Sequence, residues 1–72
     1  MGKVYFDGRE FASQWASDVN FNGIRFEVLT AQGDVFFDVS LPDSGPISVN
    51  TFSNHVPADL VASAVAIARE RR

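Results

Sequence analysis

Two segments in the middle of the chain alternate apolar and polar residues, and this alternation constrains the fold more than any other feature. Residues 24–30 and 34–41 both show a period of two, which is typical of β-strands with one buried face. A two-residue turn at Gln32 and Gly33 predicts an antiparallel hairpin whose facing pairs lie on one apolar face. These pairs are Thr30 with Val35, Val28 with Phe37, Phe26 with Val39 and Ile24 with Leu41.

A second turn signal precedes the hairpin. Asn22 and Gly23 suit a type I′ turn, in which both central residues need positive φ. This turn places Phe21 opposite Ile24 and Val19 opposite Phe26, on the same apolar face. The sequence therefore predicts a three-stranded meander, and residues 47–50 add a fourth, edge strand or a simple connection.

The N-terminal segment, residues 8–17, has two interpretations. We prefer a short helix, because Asp7 and Glu10 resemble a capping box and Phe11 and Trp15 lie one helical turn apart. The alternative is a hairpin that leaves neither face cleanly apolar. Its turn is at Asp7 and Gly8, and it pairs Phe6 with Arg9 and Tyr5 with Glu10.

The C-terminal segment has helical periodicity. Pro57 suits a first helical turn, and the helix is predicted to reach about Arg71. Its apolar sector contains Leu60, Val61, Ala64, Val65, Ile67 and Ala68. We expect an α+β fold, one domain over residues 1–72, with a small antiparallel sheet of three to four strands packed against one C-terminal α-helix.

The charge distribution argues against several partners. The net charge is −3, but residues 1–68 contain three basic and eight acidic residues, a net charge of −5. Such a body repels phosphate, so duplex nucleic acid is not an expected ligand. Arg69, Arg71 and Arg72 suit the negative end of a helix dipole. The chain has no cysteine and no apolar run typical of a membrane span or export signal, so we expect a cytoplasmic protein without membrane partners.

The outward face of the predicted sheet carries the candidate interaction surface. Both turns together place Asp18 opposite Glu27 and Glu27 opposite Asp38, with Arg25 close by. The same face carries a predicted cross-strand apolar pair, Leu29 with Phe36, which the N-terminal segment or a second copy of the chain would cover. The candidate residues are Asp18, Arg25, Glu27, Leu29, Phe36 and Asp38.

Catalytic and cofactor signals are weak. Residues 18–23 match the first half of a calcium-binding loop, but its twelfth position is Leu29 instead of Glu. His55 lies too close in sequence to Ser53 and Asp59 for a nucleophile–base–orienter arrangement. The five glycines are isolated, so no phosphate-binding loop is predicted. We expect no enzyme activity, no metal site and no cofactor.

Several short motifs resemble a family of short bacterial proteins, domain-of-unknown-function family 1488. The motifs are Phe6-Asp7-Gly8-Arg9-Glu10-Phe11, Phe26-Glu27-Val28-Leu29 with Gly33, Val39-Ser40, Phe52-Ser53-Asn54-His55 and Asp59-Leu60. The resemblance covers about two-thirds of the chain and implies an α+β fold without a known activity. This chain departs from the family in a longer stretch between Phe6 and Phe26, a shorter connection before Phe52, and Pro57 in the helix region.

These observations predict a non-enzymatic protein-interaction module. Its partner would be another protein or a second copy in a homodimer. The alternative is a phage-type or regulatory inhibitor whose acidic surface occupies a nucleic-acid-binding groove on a larger protein.

Overall fold

A computed structural model describes residues 2–18, 20–52 and 55–71, apart from the side chains of Asp18 and Phe21. Five antiparallel strands form one open sheet in which each strand pairs with its neighbours in sequence. The strands are β1 (Gly2–Phe6), β2 (Arg9–Asp18), β3 (Phe21–Leu29), β4 (Val35–Pro42) and β5 (Ser48–Thr51), and the helix α1 is Ala58–Arg71. The α+β class is confirmed, with five strands where three to four were predicted.

The central hairpin of β3 and β4 has the predicted register over most of its length. Three predicted pairs are confirmed: Val28 with Phe37, Phe26 with Val39 and Ile24 with Leu41. The turn is longer than two residues, since Thr30 N–H donates to the Asp34 carbonyl at 2.7 Å. A β-bulge follows, so Leu29 faces Val35 and Phe36 is the extra residue. The predicted pairs Thr30 with Val35 and Leu29 with Phe36 are therefore wrong.

The N-terminal segment is a hairpin, so the preferred helix over residues 8–17 is wrong. Asp7 and Gly8 have φ angles of 51° and 73°, which are the two positive angles that a type I′ turn requires. The strands pair in the register of the alternative interpretation, with Phe6 opposite Arg9 and Tyr5 opposite Glu10.

The predicted turn at Asn22 and Gly23 is also wrong, because both residues lie within β3. The chain reverses instead between Asp18 and Phe21, which face each other; Val19, predicted to face Phe26, lies outside the described residues. Gly23 faces Pro42 on β4. A Cβ atom at Gly23 would stand 2.3 Å from the Leu41 carbonyl oxygen, so this glycine permits close approach of two strands instead of a turn.

The core lies between one face of the sheet and α1. The buried apolar side chains are Val4, Phe26, Val28, Phe37, Val39 and Leu41 from the sheet, with Leu60, Ala64 and Ala68 from the helix. Val61 and Val65 pack against this cluster while partly exposed, which agrees with the predicted contact between helix and sheet. Ile67 was expected in the apolar sector, but it is 37% exposed. The fully buried residues of the helix are Leu60, Ala64 and Ala68, which are spaced four residues apart along a narrow stripe that does not include Ile67.

One contact marks each end of α1. Val61 N–H donates to the Pro57 carbonyl at 3.1 Å, so Pro57 caps the helix that starts at Ala58. At the other end the Arg71 guanidinium lies 4.5 Å above the Trp15 ring, a cation–π contact. No helix in the described part of the chain is long and apolar enough to cross a membrane.

Candidate functional site

The face of the sheet opposite α1, here called the open face, carries most of the polar strand residues. Since side chains alternate along a strand, the registers place the following on it: Lys3, Tyr5, Glu10, Gln14, Arg25, Glu27, Asp38, Ser40 and Asn50. The helix contacts β1, β3 and β4 through the buried cluster on the other face. The one helix among the described residues therefore lies on the opposite side of the sheet from the open face.

Four polar side chains form a row across the open face, here called the amide–carboxylate row. Gln14, Glu27, Asp38 and Asn50 face one another in sequence across β2, β3, β4 and β5. The Gln14 amide donates to Glu27 Oε1 at 2.6 Å, and the Asn50 amide donates to Asp38 Oδ1 at 2.9 Å. Each carboxylate therefore has an amide donor on its outer side, which offsets the repulsion between the two central charges.

A second set of hydrogen bonds orders the centre of the open face. Ser40 Oγ donates to Asp38 Oδ1 at 3.2 Å, and it accepts from the Arg25 Nε at 3.4 Å and from the Asn50 amide at 3.2 Å. These contacts leave Asp38 only 4% exposed and bury Ser40 as well. A buried carboxylate is tolerated when it is hydrogen-bonded, so Asp38 acts as an internal anchor for its neighbours.

Exposed aromatic side chains stand at both edges of the open face. Tyr5 on β1 is 68% exposed, and Phe52, immediately after β5, is 64% exposed. Phe52 borders a shallow depression of about 550 Å³ whose lining includes Arg25, Asp38 and Asn50. The open face therefore combines a hydrogen-bonded polar centre with apolar surface at its borders.

An ion pair lies beside Tyr5. The Lys3 ammonium is 2.6 Å from a carboxylate oxygen of Glu10 on the neighbouring strand. The hydrogen bond from Lys3 to Glu10, together with the attraction between their charges, raises the pKa of Lys3 above its ordinary 10.5. Lys3 therefore carries a full charge at neutral pH, at the β1 edge of the sheet.

The structure brings together three of the six predicted site residues. Arg25, Glu27 and Asp38 share the open face, and Glu27 faces Asp38 as predicted. Asp18 faces Phe21 instead of Glu27, so the predicted row of three carboxylates is wrong. The Asp18 side chain lies outside the described residues.

The predicted apolar pair on the outward face does not form. Leu29 is half-buried and faces Val35. Phe36 points to the helix side, where its ring stacks on Phe11 with 6.3 Å between centroids and meets Phe37 edge-on at 5.8 Å. The bulge that makes Phe36 an extra residue changes the face on which its side chain lies.

Gln14, Asn50, Tyr5 and Phe52 were missed as site residues. Gln14 was hidden by the helical interpretation of its segment, and Asn50 by the open question of whether residues 47–50 form a strand. Once each segment is assigned to a strand, alternation alone places Gln14, Tyr5 and Asn50 on the open face.

A second depression lies on the helix side, beyond the N-terminal end of α1. Its volume is about 460 Å³, and its lining includes Phe6, Phe11, Phe36, Arg9 and His55. His55 is exposed at this rim, and Ser53 lies outside the described residues. Among the residues that the structure describes, no three acidic or histidine side chains are grouped to hold a metal ion.

Comparison of the chain with known protein families, with curated proteins and with solved structures finds no match. The resemblance to domain-of-unknown-function family 1488 therefore stays a prediction.

Proposed function

We propose that this protein is a non-enzymatic protein-interaction module that binds its partner through the open face. One observation supports this most directly. The amide–carboxylate row is held in place by hydrogen bonds within the sheet, and the exposed aromatic rings of Tyr5 and Phe52 border the same face. Ordered polar groups with aromatic side chains beside them are typical of protein interfaces.

The chemistry of the open face defines the partner that it fits. Glu27 is half-buried and accepts one bond from Gln14, so its carboxylate retains acceptor capacity for an incoming donor. Tyr5 and Phe52 offer apolar area that a partner would remove from water. A matching surface presents a basic or amide side chain at its centre and apolar side chains at its border.

The inhibitor hypothesis has less support from the geometry. A protein that occupies a nucleic-acid groove must present many exposed negative charges. On the open face Asp38 is buried and hydrogen-bonded, Glu10 is paired with Lys3, and Arg25 adds a positive charge. We also propose a cytoplasmic location, for which the absence of cysteine is the main support.

The test is partner capture with variants that alter one surface at a time. Tyr5→Ser and Phe52→Ser remove the aromatic rings at the border of the open face. Ile67→Ser is the matched control, because Ile67 is an exposed apolar residue on the helix. Each protein is used as bait at low salt and at about 0.5 M salt, where charge interactions between exposed groups are strongly screened.

We expect one protein that wild type and Ile67→Ser both capture at either salt concentration. Tyr5→Ser and Phe52→Ser should fail to capture it. Capture that Ile67→Ser loses to the same extent would contradict the open face as the binding surface. Capture that disappears at high salt and is insensitive to Tyr5→Ser would favour the acidic inhibitor instead.

A further inference from the structure

The two edges of the sheet differ in a way that bears on self-association. The open sheet ends in β1 on one side and β5 on the other. An edge strand exposes unpaired backbone N–H and C=O groups, which can pair with a strand of another chain. Folded proteins commonly block such pairing with charged residues, with proline or with a bulge.

The edge at β1 carries one of these devices and β5 carries none. Lys3 stands on β1 as part of its ion pair with Glu10, and a second strand would have to displace or bury that charge. The sequence of β5, Ser48–Thr51, has no charged residue and no proline. Its pairing with β4 continues without a bulge, and all four of its residues are exposed.

Apolar surface is concentrated at the β5 edge. Val49, within β5, is 37% exposed, and Phe52, next to it in sequence, is 64% exposed. These are two of the four large apolar side chains that are exposed among the described residues. A strand added at this edge would remove both from water and satisfy the outward backbone groups.

We propose that β5 pairs antiparallel with β5 of a second copy of this chain, about a two-fold axis, so that two five-stranded sheets become continuous. A second copy fits better than a flexible peptide. Four residues offer few backbone hydrogen bonds, and a peptide would lose its conformational freedom on binding. A folded copy has an ordered strand already and contributes its own Val49 and Phe52, so each contact occurs twice.

The pairing is also electrostatically neutral. Two copies of β5 bring no like charges together, and the nearest carboxylate across the ladder, Asp38, is buried and bonded to Asn50. The β5 edge shares Phe52 with the border of the open face, but Val49 and Thr51 alternate with Asn50, so their side chains lie on the helix side of the sheet.

The experiment is sedimentation equilibrium of the full chain from micromolar to millimolar concentration. Val49→Lys and Thr51→Lys each place a charge on the helix side of the β5 edge and leave the side chains of the amide–carboxylate row unchanged. Ile67→Lys is the matched control, since Ile67 is as exposed as Val49 but lies on the helix. Circular dichroism and Trp15 fluorescence show that each variant is folded.

We expect a wild-type dimer whose dissociation constant rises at least about tenfold in Val49→Lys and Thr51→Lys and is unchanged in Ile67→Lys. A wild type that is monomeric over the whole range, or a dimer that Ile67→Lys weakens equally, would overturn the inference. A dimer that Tyr5→Lys dissociates while the β5 variants leave it intact would also overturn it. Tyr5 lies on β1, at the opposite edge of the sheet from β5, so loss of partner capture in Tyr5→Ser reports on the open face alone and is distinguishable from failure of the dimer.

Discussion

Truncation of Phe37 to alanine tests the register of the central hairpin. Phe37 is fully buried, faces Val28 and meets the Phe36 ring edge-on. Its removal loses the transfer free energy of the ring, about 2–3 kcal/mol, and adds the cost of the cavity, for an expected total of about 3–5 kcal/mol. A chain of 72 residues has a total stability of about 4–11 kcal/mol, so Phe37→Ala should lose a large fraction of it.

The measurement is urea unfolding followed by the fluorescence of Trp15, the single tryptophan, whose ring lies 4.8 Å from that of Phe26 in the core. Phe52→Ala is the matched control, because it deletes the same ring at a position that is 64% exposed, and it should change stability by less than about 0.5 kcal/mol. The protein is kept at sub-micromolar concentration to limit self-association. Equal losses in the two variants, or a Phe37→Ala midpoint equal to that of wild type, would refute the reasoning.

Three further predictions follow from single positions. Ser13 Oγ is buried without a hydrogen-bond partner among the described residues, so Ser13→Ala should raise the free energy of unfolding by about 1 kcal/mol. If urea unfolding shows a lower free energy of unfolding for Ser13→Ala than for wild type, the prediction is wrong. Gly23→Ala should cost at least about 2 kcal/mol, because its Cβ would meet the Leu41 carbonyl at 2.3 Å, whereas Gly33→Ala, where φ is positive but space is open, should cost about 1 kcal/mol. Because Glu10 raises the pKa of Lys3 above 10.5, the contribution of this ion pair to stability is present at neutral pH and lost as pH rises through that raised value; NMR titration of Lys3 should show the raised pKa, and Glu10→Gln should return it toward 10.5.

Period-two alternation predicts the β3–β4 hairpin because both strands have one fully apolar face. The pairs Ile24 with Leu41, Phe26 with Val39 and Glu27 with Asp38 all follow from it. The alternation does not predict the bulge, since the hydrogen bonds of a longer turn decide where the extra residue is placed. Because Phe36 is the extra residue, its side chain packs on the helix side. The face that was predicted to carry an apolar pair is therefore mainly polar.

The N-terminal hairpin could not be chosen over a helix from apolar spacing alone. Phe11 and Trp15 are four residues apart, a distance that suits both a helical turn and one face of a strand. The core position between them is occupied by Ser13, so the alternation is masked by a polar residue. The Asp7-Gly8 dipeptide is the stronger local signal in the sequence, because both residues adopt the positive φ angles that a type I′ turn requires.

The glycine in β3 shows why a dipeptide that favours a turn is ambiguous. Asn22 and Gly23 suit a type I′ turn, but Gly23 is required where the backbone of β4 comes too close for any side chain. Because the strand continues through Gly23, Gln14 instead of Asp18 lies opposite Glu27 on the open face.

The neighbour-to-neighbour order of the strands has a consequence for how the chain acquires its structure during synthesis. Each strand pairs with the one made just before it, so the sheet can grow hairpin by hairpin with short loop closures, which favours fast folding. The helix that covers the apolar face is made after all five strands. Until α1 leaves the ribosome, Val28, Phe37 and Val39 have no cover, and this interval is when the nascent chain is most exposed to aggregation or to capture by a chaperone.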